Sequence, residues 1–259
     1  MADSTTKGRL SIAVDPPIAR ITLDHPPLNV IDIAMMEELS SALAEIEGHR
    51  HISTIIIRGA GKAFSVGVDV AAHAPGRIEE MLTKFHGLIR GLVATKKVTV
   101  AAVHGSCLGG GAELAMVCDF VYTAEDAQWG FPEIKLGCYP PVACAVLAAL
   151  LGQKRAADLI LTGRSISGGE AAQFGLASQV VPQNRLDSAV EDRVQRLLAL
   201  SPAVLAVAKR AFYGWDAAHF DKGLARAEKI YLEELMKTTD AHEGIRAFME
   251  KRTPKWIGK

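Results

Sequence analysis

The sequence predicts an α/β fold whose helices gather toward the C-terminal end. Two observations carry this. Short β-branched runs alternate with amphipathic helical stripes as far as about Pro140, and beyond it the apolar spacing is mainly helical. A chain of 259 residues, 49% of them hydrophobic, is long enough to bury one large core.

Ser11–Val14 and Ala19–Asp24 alternate apolar and polar residues around Asp15-Pro16-Pro17, the pattern of a hairpin, and Pro26-Pro27 ends it. Ile33–Gly48 sets Met35, Met36, Leu39, Leu43 and Ile46 near helical spacing and stops at glycine. Ser53–Arg58 is a β-branched run suited to a strand buried on both faces. The stripe Ile78, Met81, Leu82, Phe85, Leu88, Ile89 and Leu92 predicts a helix over 77–94, and Val98–His104 a second strand. Leu114–Cys118 predicts a buried helix and Phe120–Thr123 a strand. Helices follow over 142–151, 155–161, 167–174, 186–200, 202–215 and 224–237.

The chain carries 29 basic and 29 acidic side chains. With no basic excess, broad capture of nucleic acid or of an anionic membrane surface is not expected. No apolar run approaches the ~20 residues needed to span a bilayer, and Met1–Gly8 has no apolar leader, so the expected protein is soluble and cytoplasmic. Cys107, Cys118, Cys138 and Cys144 lack C-x-x-C spacing and sit among apolar residues, which predicts reduced core thiols and no metal site.

The chemistry concentrates in Ala101–Ala115, where a strand runs into Gly109-Gly110-Gly111 and then a helix. Glycines allow close backbone approach, and a helix start leaves N–H groups without intrahelical partners, so the segment suits an anion or oxyanion. Glu113 falls in the first helical turn; the same spacing also fits a packing turn with a capping glutamate. Twenty residues on, Glu133 stands in Trp129-Gly-Phe-Pro-Glu-Ile, apolar surroundings that raise a carboxyl pKa; an exposed loop carboxylate is the alternative. A third turn, Lys62-Ala-Phe-Ser-Val-Gly-Val-Asp69, again leaves backbone amides free. Two strand ends with free amides plus two carboxylates describe an oxyanion hole with an acid–base pair.

These stretches resemble the crotonase (enoyl-CoA hydratase/isomerase) superfamily. The likeness rests on Lys62-Ala-Phe-Ser-x-Gly-x-Asp69, Gly105-x-x-Leu-Gly-Gly-Gly-x-Glu113, Gly130-x-Pro-Glu133-Ile-x-Leu-Gly137, Leu161-Thr-Gly-Arg164 and Ala172-x-x-Gly-Leu176, in the family's order and over nearly the whole chain. It implies a ββα spiral core over 1–200 holding an acyl-CoA site, and a C-terminal helical region over 201–259 for oligomer and CoA contacts. It implies that the Val68 and Gly110 amides hold the thioester carbonyl and that Glu113 and Glu133 flank the reacting carbons. With both glutamates present the expected reaction is hydration of an α,β-unsaturated CoA thioester, with isomerisation as the alternative. No cofactor is implied, since coenzyme A enters as the substrate thioester. The expected assembly is a homotrimer or homohexamer.

By the same resemblance Leu28, Phe64, Ser65, Gly67, Asp69 and Gly109 meet the substrate or its CoA, and Phe248 and Lys251 reach CoA from a neighbouring subunit. The family often has a lysine two residues after the loop aspartate; this chain has Ala71, which leaves the phosphates to bases such as Lys251 or Arg252. After Gly137 linear-chain hydratases usually show a glycine-rich stretch, whereas here Cys138-Tyr-Pro-Pro-Val-Ala-Cys144 predicts a stiff apolar wall with Tyr139 and Pro141 against the acyl group. That segment is similar to hydratases of cyclic dienoyl-CoA thioesters in anaerobic aromatic degradation. His73, His86 and His104 lack partners at metal-ligand spacing and are expected to be satisfied core or supporting residues.

Overall fold

The computed structural model describes residues 8–74 and 76–258, and the side chains of 214–218 are left out of the description. The predicted hairpin forms from β1 (Leu10–Asp15) and β2 (Ile18–Leu23), paired from Leu10 opposite Leu23 to Asp15 opposite Ile18. Helix α1 (Ile33–Gly48) starts where Asp32 accepts the Met35 N–H at 2.9 Å, an N-cap that satisfies one of the orphan donors of the first turn. Three strand–strand–helix turns follow. They comprise β3 (Thr54–Gly59), β4 (Ala63–Ser65) and α2 (Ile78–Ala94); β5 (Val98–Val103), β6 (Ser106–Leu108) and α3 (Gly110–Met116); and β7 (Phe120–Ala124), β8 (Gln128–Gly130) and α4 (Pro141–Leu151). The chain continues through α5 (Gln153–Thr162), β9 (Ser165–Ser167), α6 (Gly168–Phe174), β10 (Gln179–Val181), α7 (Leu186–Leu198), α8 (Pro202–Glu233) and α9 (Thr239–Met249).

Each of the three turns sends its first strand into one sheet, ordered β1-β2-β3-β5-β7-β10, and its second into another, ordered β4-β6-β8-β9. Period-two alternation builds the layers on the large sheet. Ile55, Ile57, Ala101 and Val103 face the main core with α1 and α2, while Ile56, Val100 and Ala102 face Leu186, Val190, Val194 and Leu197 of α7. The main apolar cluster runs on into α8 through Phe220, Leu224 and Tyr231. A nearly buried ion pair also ties α8 to the sheet. Lys209 Nζ lies 2.7 Å from Asp119 Oδ2, which also accepts from the Thr99 amide and hydroxyl at 2.7 and 3.0 Å.

Three expectations are corrected. The buried helix expected at Leu114 begins at Gly110, so the glycine run forms its first turn. The separate helices expected over 202–215 and 224–237 are one helix of 32 residues, with a short 3₁₀ turn at Leu235–Lys237 after it. An isolated glycine inside a helix costs only ~1 kcal/mol, and Gly223 is used where α8 crosses Ala145 of α4. Cys144 is exposed on α4, whereas Cys107, Cys118 and Cys138 are buried; all four are free. Among the described residues no helix is long and apolar enough to cross a membrane, and no cluster of side chains could hold a metal ion.

Candidate active site

Strands β4, β6 and β8 run parallel, so the segments leaving them emerge on one edge, where ligand sites of parallel sheets form. Those segments are Val66–Val68, Gly109–Gly110 at the head of α3, and the 3₁₀ turn Pro132–Leu136. They enclose a cavity of about 70 Å³ together with α2, the start of α4 and Tyr231 of α8. A larger apolar cavity of about 290 Å³, lined by Met116, Ala149, Leu150 and Phe220 among others, has neither glutamate in its lining. The chemistry therefore selects the smaller one.

Two backbone amides are set side by side on its wall. Val68 forms an isolated bridge to Ile31, with Ile31 N–H on Gly67 O at 2.9 Å and Asp69 N–H on Ile31 O at 3.1 Å. Alternation along this bridged segment turns the intervening Val68 N–H the other way. Gly110 is the first residue of α3, so its amide has no acceptor within the helix. A Cβ on Gly110 would stand 2.7 Å from Val68 Cγ2 and 3.4 Å from Val68 N, so only glycine lets these two segments close together.

Glu113 is 3% exposed, and its Oε1 accepts the Ala143 N–H at 2.9 Å from the first turn of α4. Burial raises its pKa, while the Ala143 and Val142 amides pull it back down. Pro141, first in α4 and without an N–H, leaves the amides behind it to this carboxylate. Glu133 differs. Its Oε2 is buried with no hydrogen-bond partner among the described residues, and both burial and the nearby Glu113 charge raise its pKa.

Of the expected site residues, Gly67, Val68, Gly109, Gly110, Glu113, Glu133, Tyr139 and Pro141 line this cavity. Tyr139 is fixed by its hydroxyl on Ala227 O at 2.6 Å and by an edge contact with Tyr231 at 5.0 Å. The remaining expected residues lie outside the lining of this cavity. Phe64 is fully buried in the core, and Ser65 is turned inward, its hydroxyl donating to Asn29 O and accepting from Gly67 N, so both shape the loop from beneath rather than line the cavity. Asp69 caps the turn Val70–His73 through Ala71 N. Leu28 is exposed beside the loop, its carbonyl accepting the Val66 N–H. Phe248 and Lys251 are exposed at the end of α9, away from this chain's cavity, and Arg252 is engaged by Glu243 and Glu250.

The histidines divide. His104 bonds Gly61 O, as expected of a satisfied residue. His73 and His86 line the cavity instead, and His86 is buried with its Nε2 unpaired. Met81, Leu82, Phe85 and Tyr231 line it too. The available signal was a histidine on the apolar stripe of a predicted helix, which reads as core until its neighbours are known.

The sequence profile of the enoyl-CoA hydratase/isomerase family matches residues 15–259. The chain belongs to the enoyl-CoA hydratase/isomerase family. This family member is 33% identical over 256 residues to the cyclohexa-1,5-dienecarbonyl-CoA hydratase of Thauera aromatica, covering 99% of each chain. It is 35% identical to a probable enoyl-CoA hydratase of Bacillus subtilis, covering 96% of this chain and 99% of the other. Its fold matches the crystal structure of an enoyl-CoA hydratase from Mycobacterium avium subsp. paratuberculosis with a TM-score of 0.87 at 26% identity, over 96% of this chain and 99% of that one. The α/β core is thus the crotonase fold.

Proposed function

We propose that this enoyl-CoA hydratase family member adds water across the double bond of an α,β-unsaturated acyl-CoA, with Glu113 and Glu133 as an acid–base pair and the Val68 and Gly110 amides holding the thioester oxygen. The observation that carries the reading is the unequal hydrogen bonding of two buried carboxyls on one small cavity. Glu113, fed by the α4 amides, is the easier to ionise and serves as the base that takes a proton from water. Glu133, without a donor on Oε2, is the easier to keep protonated and delivers a proton to Cα. The paired amides face the charge that develops as the enolate forms; a single such donor is worth ~3 to 4 kcal/mol of transition-state stabilisation.

The acyl group is compact, and a cyclic dienoyl thioester is the substrate we favour. The wall Tyr139-Pro140-Pro141 supports this, because it is stiffened by prolines and by the Tyr139 contact with Tyr231. The Thauera aromatica relative, a cyclohexa-1,5-dienecarbonyl-CoA hydratase by name, supports it independently. Specificity constants for cyclohexa-1,5-diene-1-carbonyl-CoA, crotonyl-CoA and a C8 enoyl-CoA test it. Preference for the cyclic thioester is expected; preference for the linear ones rejects the ring but leaves hydration standing. Turnover of a 3-enoyl-CoA to its 2-isomer without hydration rejects the hydratase.

We further propose a homotrimer or a dimer of trimers. Val204, Val207 and Phe212 stand exposed on α8, at 66%, 57% and 73%, apolar area that a second copy of the chain would cover. A neighbouring subunit would then bring its Phe248 and Lys251 toward CoA. Light scattering that returns a 27.7 kDa monomer at micromolar concentration rejects the assembly.

A further inference from the structure

Among the described residues, the buried side-chain nitrogen and oxygen atoms without a hydrogen-bond partner are Thr54 Oγ1, His86 Nε2, Glu133 Oε2 and Tyr231 Oη. Three of the four belong to residues lining the one small cavity. Glu133 has its role in the reaction above. His86 and Tyr231 do not, and both stand on a different wall, built from α2 and α8 rather than from the loops after β4, β6 and β8.

The chemistry of His86 says what it lacks. Its Nδ1 is 2.7 Å from Glu228 Oε1, and Glu228 also accepts from Arg90, with Nη2 3.1 Å from Oε2. A carboxylate accepts only, so the imidazole proton lies on Nδ1 and Nε2 is left with a bare lone pair. Burial of the ring favours this neutral form and outweighs the Glu228 hydrogen bond and charge, which favour the protonated one; the Arg90 charge adds a smaller push in the same direction as burial. A buried lone pair on the wall of this cavity calls for a hydrogen-bond donor, which an O–H supplies. Tyr231 Oη, beside the Cys138 thiol, offers a second polar contact in the same cavity.

We infer that the acyl group this cavity takes carries a hydroxyl beyond the reacting double bond, and that His86 Nε2, oriented by Glu228, accepts its hydrogen bond. The inference rests on the hydratase reading above and allows a ring or a chain, but it requires a hydroxyl that cyclohexa-1,5-diene-1-carbonyl-CoA lacks, so a preference for that unsubstituted thioester over hydroxylated acyl groups counts against it. A purely hydrocarbon group would strip water from Nε2 and return nothing. A hydroxylated group repairs that loss, an effect of about ten- to a hundredfold in specificity.

Matched pairs of thioesters test it: crotonyl-CoA against 4-hydroxybut-2-enoyl-CoA, and pent-2-enoyl-CoA against 5-hydroxypent-2-enoyl-CoA. The readout is the ratio of kcat/KM within each pair, compared between wild type and variants, so that intrinsic reactivity and any general loss of activity cancel. The ratio in wild type should favour the hydroxylated member of at least one pair by about tenfold or more. His86→Leu should remove that preference. His86→Gln, whose amide can donate to Glu228 and still present an oxygen acceptor, should retain most of it. Equal ratios in wild type and His86→Leu overturn the inference and assign the lone pair to water. If none of the thioesters is turned over, the ratio of dissociation constants within each pair decides the question in the same way, and the hydratase reading falls separately.

Discussion

Gly109 and Glu133 are in direct contact: a side chain on residue 109 would begin 2.5 Å from Glu133 Oε1. Gly109 also holds φ 52° and ψ −129°, a backbone region nearly closed to other residues, while its N–H bonds Gly130 O at 2.9 Å. The N-cap of α3 and the seat of Glu133 are therefore the same atoms. Gly109→Ala should destabilise the fold by ~1 to 3 kcal/mol for the backbone alone and, by moving the carboxyl, lower kcat by about a hundredfold. A melt and steady-state kinetics on the purified variant check both; unchanged kcat would separate Gly109 from the placement of Glu133.

Glu113→Gln and Glu133→Gln should each lower kcat by at least about a hundredfold, the low end of general acid–base contributions. Binding of a saturated acyl-CoA, measured by calorimetry, should stay close to wild type. Near-normal turnover in either variant removes that residue from the acid–base pair.

The two carboxyls also leave a mark on stability. Both have folded pKa values raised by burial, to about 7 for Glu113 and about 8 for Glu133, above the ordinary 4.5. Between those limits the folded state holds more protons than the unfolded one, so stability is lost as pH rises and is fullest below about 4.5 as far as this pair is concerned. Glu133→Gln removes part of that loss. Its melting temperature relative to wild type should rise between pH 5 and pH 8.5; a constant difference would contradict the raised values.

Lys209 and Asp119, with side chains 9% exposed each, form the ion pair that ties α8 to the sheet. Lys209→Met leaves Asp119 with the Thr99 donors but without its countercharge, a loss of ~3 to 5 kcal/mol. The expected signature is a lowered denaturant midpoint. A midpoint within error of wild type would show that the Thr99 contacts alone neutralise the aspartate.

Where a segment has its own period, the sequence was a sufficient guide. Helix α1 spans the predicted 33–48, and the buried strands β3, β5 and β7 fall on their β-branched runs. The small sheet was invisible because β4, β6, β8 and β9 have three residues each, too few to show alternation. The glutamates and glycines of the site were legible because their chemistry is local: a glycine run before a helix, a carboxyl among apolar neighbours. The anchoring of Glu113 by Ala143 and the pairing of His86 with Glu228 were not, since they join residues 30 and 142 positions apart. Helix α9, placed by the resemblance only as part of a helical region over 201–259, packs against the turn that carries Glu133.

The unbroken course of α8 divides the labour of the cavity along the gene. The residues assigned to bond-making all fall within 66–133, whereas Tyr231 reaches the cavity from one late helix nearly a hundred positions further on, with Glu228 holding His86 from the same helix. A change in that single helical stretch would alter the support of His86 and the Tyr231 wall while leaving the residues within 66–133 in place.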